Sequence, residues 1–153
     1  MTAAPASFRF ARLAERAALE ALQRRASLMW ESDRAAILAN PDAIELPDAQ
    51  ILERRVRVTE AGGALAGFSA TLPRGDGDAE LDGLFVEPEQ WRRGLGRSLV
   101  ADAAALAKPW GARRVWVIAN PNALPFYRAC GFVSVGEAVT RFGPGLVMTL
   151  PIN

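Results

Sequence analysis

Histidine is missing from this 153-residue chain, and cysteine occurs once, at Cys130. Without histidine there is no Ser-His-Asp triad, no histidine general base and no histidine-bound zinc. A single thiol closes no internal disulfide and builds no cysteine-rich metal site. The net charge is only +1, which gives no ground for nucleic-acid binding or for attachment to an anionic membrane. No apolar run approaches the roughly 20 residues that cross a bilayer. Met1–Ser7 lacks the basic start and long apolar stretch of a signal peptide. The expectation is a soluble protein of the reducing cytoplasm. Asp76 and Asp78 flank a glycine in PRGDGD, but a calcium loop needs more oxygen ligands than this segment holds, so no metal is expected.

What is present is enough for one packed domain, residues 1–153, with half its residues apolar. Phe8 and Phe10 alternate with Arg9, which predicts a strand over Ser7–Leu13. Leu19, Leu22, Ala26 and Met29 recur at helical spacing within Ala14–Met29. Ser32 reads as the N-cap of a second helix that Asn40-Pro41 ends. Leu52–Thr59 and Ala64–Leu72 read as strands joined at Gly62-Gly63. Ala79–Val86 is another strand, and its apolar phase slips near Gly83, which predicts a β-bulge. A helix runs from the glycines at 94 and 96 to about Lys108, with Leu95, Leu99, Ala103 and Leu106 as its stripe. Arg114–Ala119 is a buried strand, Asn120–Ala129 a short helix, and Phe132–Val135 and Leu146–Leu150 are strands separated by Gly143-Pro144-Gly145. The order implies an α/β (α+β) domain: a mixed, mostly antiparallel twisted sheet with helices on both faces.

The segment Val86–Leu99, VEPEQWRRGLGRSL, carries the most chemistry. A strand leads to two glycines at a helix start. There the first backbone N–H groups lack internal acceptors and the helix dipole is positive, an environment suited to a pyrophosphate. Arg92, Arg93 and Arg97 add charge, and Ser98 adds a hydroxyl. A dinucleotide fingerprint would want a small residue at Leu99, and a P-loop would want lysine followed by Ser or Thr after a longer loop. Both fit less well.

A second segment, Asn120–Phe132, reads NPNALPFYRACGF. With RRGLGR before it, this resembles the GCN5-related N-acetyltransferase family, closely over the second half of the chain and in layout only over the first. The resemblance implies the family's fold and acetyl transfer from acetyl-CoA to an amine, directly, in a ternary complex. The backbone of Leu84, Phe85 and Val86 would hydrogen-bond the pantetheine arm. The N–H groups of Arg92, Arg93, Gly94, Leu95, Gly96 and Arg97 would hold the pyrophosphate. Asn120 and Phe126 would flank the arm, and Tyr127 would stand near the CoA sulfur. Trp91 departs from the Gln or Arg usual in the family.

An alkylammonium, with a pKa of about 10, must lose a proton before it attacks a thioester, and the thiolate that leaves benefits from an acid. Tyr127, the chain's only tyrosine, is the candidate acid. Glu80 and Asp82, two apart on one strand, are the candidate bases, sharing a face unless the bulge intervenes; backbone carbonyls are the alternative. Cys130 has no histidine to activate it, which argues against an acyl-cysteine route. Trp30 and the pair Arg141 and Phe142 are candidate walls for the acceptor, a small-molecule or peptide amine. The last strand offers an edge for a homodimer. The rival reading is a CoA-binding regulatory module without turnover.

Overall fold

The computed structural model describes residues 6–153; most of the Met1–Ser7 reading therefore lies outside the described residues. One seven-stranded sheet runs β1-β2-β3-β4-β5-β7-β6. Its strands are β1 (Phe8–Phe10), β2 (Val56–Ala61), β3 (Ala64–Pro73), β4 (Ala79–Val86), β5 (Arg114–Ala119), β6 (Val133–Thr140) and β7 (Gly143–Pro151). Every neighbouring pair is antiparallel except β4 with β5. The helices are α1 (Arg16–Ser27), α2 (Glu31–Ala39), α3 (Asp48–Leu52), α4 (Leu95–Ala107) and α5 (Leu124–Ala129).

The apolar pattern decides which face each helix covers. Leu19 and Leu22 of α1 and Ile51 of α3 bury against Val56, Val58, Phe68 and Ala70. On the opposite face Val100 and Ala103 of α4 and Tyr127 of α5 bury against Leu81, Val115, Val117 and Met148. The buried stripe of α4 is Leu99, Val100, Ala103 and Ala107, while the expected Leu95 and Leu106 are half-buried at its edges. Gly62 and Gly63 both have positive φ, 60° and 80°, as the tight turn between β2 and β3 demands.

Five local readings change. The last strand, β7, is not an exposed edge open to a second copy: it pairs with β5 on one side and β6 on the other, and the edge strand is β6. Leu52 ends the short helix α3, and the strand starts only at Val56; five residues carry too little periodicity to announce a helix. Trp30, not Ser32, is the N-cap of α2, and it makes no side-chain cap bond. Ser32 Oγ accepts a hydrogen bond from Asn122 Nδ2 at 2.9 Å instead. The β6–β7 turn lies at Arg141-Phe142, so Gly143, Pro144 and Gly145 belong to β7. A Cβ at Gly145 would stand 2.7 Å from Ile118, so the glycine lets β7 pair closely with β5. Finally, the bulge of β4 falls one residue before Gly83. Ala70 pairs with Gly83 and Thr71 with Leu81, leaving Asp82 as the extra residue.

Candidate active site

The parallel pair β4–β5 is short. Only Ala79–Val115 and Glu80–Trp116 are in register, after which the strands part. Asp78 pins the closed end: its carboxylate accepts from the backbone N–H groups of Arg113 and Arg114 and from Trp116 Nε1. These donors hold the Asp78 carboxyl below its ordinary value, the Trp116 bond most strongly. The acidity of PRGDGD is thus structural; Asp76 is likewise engaged by Arg74. Beyond the pin a cleft of about 990 Å³ opens between β4, β5, α2 and the start of α4, at the upper end of volumes usual for small-molecule sites.

The far wall of this gap is unpaired backbone. Glu87 N–H donates to Ala66 C=O at 2.8 Å. By antiparallel alternation Phe85 then bonds Phe68, so the N–H groups of Leu84 and Val86 face the gap. Phe85, grouped with them in the sequence reading, turns its backbone to β3 and packs its ring 5.4 Å from Phe68. The Val86 carbonyl is taken by Trp91 Nε1 at 2.8 Å, and Trp91 in turn lies 5.5 Å from Trp30. Trp91 therefore buttresses the loop with its ring nitrogen.

After Trp91 the backbone donates no hydrogen bond for a whole turn. The N–H groups of Arg92, Arg93, Gly94, Leu95, Gly96 and Arg97 reach no acceptor among the described residues, and Ser98 N–H is the first to do so, on Gly94 C=O. Gly94, the N-cap of α4, has φ 84°. Arg92 has φ 67°, unfavourable for a residue with a Cβ by about 1 kcal/mol. This strained turn opens a helix start whose row of amides has no acceptor among the described residues, a setting that attracts anions. Arg92 and Arg97 line the cleft with them, whereas Arg93 points to Gln90 and Ser98 stays outside the lining. Gly96 admits the Phe126 ring: a Cβ there would meet it at 2.8 Å. Arg25 grips Glu87 through two bonds of 2.7 and 2.8 Å, which lowers the Glu87 carboxyl and ties α1 to this loop.

Tyr127 lines the same cleft. Its ring sits edge-on between Phe126 and Phe132, and burial pushes its hydroxyl well above the ordinary phenol value. That hydroxyl makes no hydrogen bond among the described residues. Cys130, close by, is pushed up by burial, an effect partly offset by Arg97. Of the two candidate bases only Asp82 lines the cleft, at the bulge, where Gln50 Nε2 donates to it at 3.3 Å. Glu80 stands in the paired segment, outside the lining. Asn120 Nδ2 donates to Asp33 of α2, and its Oδ1 accepts from Asn122 N–H at 2.9 Å. Its amide therefore already bridges β5 to α2. Trp30 and Phe142 line the cleft; Arg141 does not, and reaches across to Asn40 and Asp42 at 3.2 Å. The sequence reading missed Asp33, Ile37 and Ile44, which face the cleft from and beyond α2. No motif marks them, because only the fold brings α2 to the end of β5.

Among the described residues no helix is long and apolar enough to cross a membrane. The chain shares 30% identity over 93 residues with an uncharacterized N-acetyltransferase of Mycobacterium tuberculosis (strain ATCC 25618 / H37Rv), a match covering 59% of this chain and 60% of the relative. It therefore spans about 60% of the length of the curated relatives it matches. Solved structures share the whole fold. A GCN5-related N-acetyltransferase from Rhodopseudomonas palustris superposes with TM-score 0.77 at 21% identity, covering 99% of this chain and 98% of that one. The PaiA N-acetyltransferase of Thermoplasma acidophilum, solved with coenzyme A, gives 0.72 at 17% identity, covering 97% and 99%. The sequence profile of the acetyltransferase (GNAT) family matches residues 19–132, and the chain belongs to that family.

Proposed function

We propose that the protein transfers an acetyl group from acetyl-CoA to a primary amine, by direct attack within one cleft. The observation that carries this reading is the row of acceptor-free amides from Arg92 to Arg97, at the end of a gap whose wall offers the N–H groups of Leu84 and Val86. A pyrophosphate on the first and an extended amide-bearing arm along the second match coenzyme A in charge and in shape.

The residues divide the chemistry. Arg92 and Arg97 add charge beside the diphosphate. Phe126, seated on Gly96, walls the arm, and the second N–H of the Asn120 amide remains for it. The Val86 N–H polarises the thioester carbonyl, stabilising the negative charge that develops on attack. Asp82 takes the ammonium proton, directly or through one water; Glu80, in the paired part of β4, does not line the cleft. Tyr127 stays protonated because burial disfavours its phenolate. It therefore serves as a hydrogen-bond donor to the departing sulfur.

Two measurements test this. Coenzyme A should raise the Tm where NAD and ATP do not, and the purified chain should release thiol from acetyl-CoA when an amine is added. Coenzyme A binding with no acetylation of any amine would leave only the regulatory-module reading.

A further inference from the structure

The cofactor cradle has two halves, and a side chain ties them together. The first half is the gap-side edge of β4 past Glu80, where β5 has parted and no strand among the described residues covers Leu84 or Val86. The second is the row of amides from Arg92 to Arg97. Between them the chain makes a single tight turn over Pro88–Gln90. The Trp91 indole folds back across this turn, and its Nε1–H donates to the Val86 carbonyl at 2.8 Å. The N–H of the same peptide unit, that of Glu87, donates to Ala66 C=O at 2.8 Å. The peptide that ends the wall is thus held from both sides, by β3 and by the residue that precedes the amide row. The indole is itself seated against Trp30, the N-cap of α2, with ring centroids 5.5 Å apart and planes inclined at 33°. Both rings line the cleft.

Resting on the acetyltransferase reading, we infer that Trp91 is a positioning residue, whose indole N–H sets the spacing between the wall that meets the pantetheine arm and the amide row that meets the diphosphate. A ligand that ends at its diphosphate touches one half and is indifferent to that spacing. Coenzyme A spans both, so its arm reaches the N–H groups of Leu84 and Val86 only when the two halves stand in register. A cradle held in register before binding spares the ligand the cost of ordering it.

The test compares, by calorimetry, coenzyme A with 3′-phosphoadenosine 5′-diphosphate, the part of it that ends at the diphosphate. Trp91→Phe keeps a ring beside Trp30 and lacks the donor. It should raise the Kd of coenzyme A about tenfold, the worth of one or two hydrogen bonds to the arm, and change that of the fragment by less than about twofold. Replacing Trp91 with 3-benzothienylalanine, which exchanges the N–H for sulfur at nearly the same shape, should give the same split and covers the case in which the smaller ring unsettles the fold. Equal losses for the two ligands would make Trp91 a support of the loop alone. Unchanged coenzyme A binding, or tighter binding because the freed Val86 carbonyl accepts from the arm, would deny the tie. Each of these results overturns the inference and leaves the transferase reading intact. A wild-type protein that binds neither ligand overturns both.

Discussion

At the scale of single residues, the site depends on two groups that differ in how replaceable they are. Tyr127→Phe keeps the ring between Phe126 and Phe132 and removes only the hydroxyl. Turnover should fall about 100-fold, the usual loss when one donor to developing charge is removed, while the dissociation constant of coenzyme A, read by calorimetry, stays within about twofold. A fall in affinity as large as the fall in rate would make Tyr127 a packing residue. Asp82→Asn removes the proton acceptor and should cost a similar factor at pH 7. The loss should shrink as pH rises toward the amine's own pKa of about 10, because a neutral amine needs no base. Glu80→Gln, in the paired part of β4, should change kcat less than about threefold in the same assay.

At the scale of elements, the sequence does not advertise the contact of Gly96 in α4 with Phe126 in α5. Phe126 lies on Gly96, so Gly96→Ala forces the ring aside and should cost about 1–3 kcal/mol, as overpacking does. In a chain of this size that lowers Tm by roughly 2–4 °C per kcal/mol. Adding Phe126→Leu should restore part of the loss, and additive melting temperatures would deny the contact. The glycine loop and NPNALPFYRACGF were legible because their chemistry is local: amides at a helix start need glycine, and a helix N-terminus follows in sequence. Asp33, Ile37 and Ile44 were not, since they reach the cleft only through long-range bonds such as Asn122 to Ser32. The bulge was legible as a slipped phase but misplaced by one residue, because a slip in periodicity marks the interval between Leu81 and Leu84 and not the residue that protrudes. Asn120 was read as a ligand contact from its motif, and only the fold adds its bond to Asp33. The strand at Leu52 failed because α3 spans only Asp48–Leu52.

At the scale of the whole molecule, the first strand is fastened by an ion-pair cluster. Arg9 donates to Glu15 at 2.9 and 2.8 Å and to Glu60 at 2.7 Å. The Glu15 carboxyl is lowered from 4.5 to about 2, chiefly by the Arg9 hydrogen bonds. Arg9 keeps its charge throughout, so only the carboxylate side titrates. A native pKa below the unfolded one means that the unfolded chain binds more protons between these values, and stability therefore rises with pH there. The contribution is complete above about pH 5 and disappears as pH falls toward 2. Its unscreened ceiling is about 3 kcal/mol, and solvent screening near the surface reduces it to about 1–2 kcal/mol. Asp78 and Glu87 are also lowered and add to the same acid limb. Urea unfolding at pH 7 and pH 3 should show the wild type losing about 1–2 kcal/mol more than Glu15→Gln, whose amide cannot titrate. Equal losses in the two proteins would mean that Glu15 keeps its ordinary pKa and that β1 is held by packing alone.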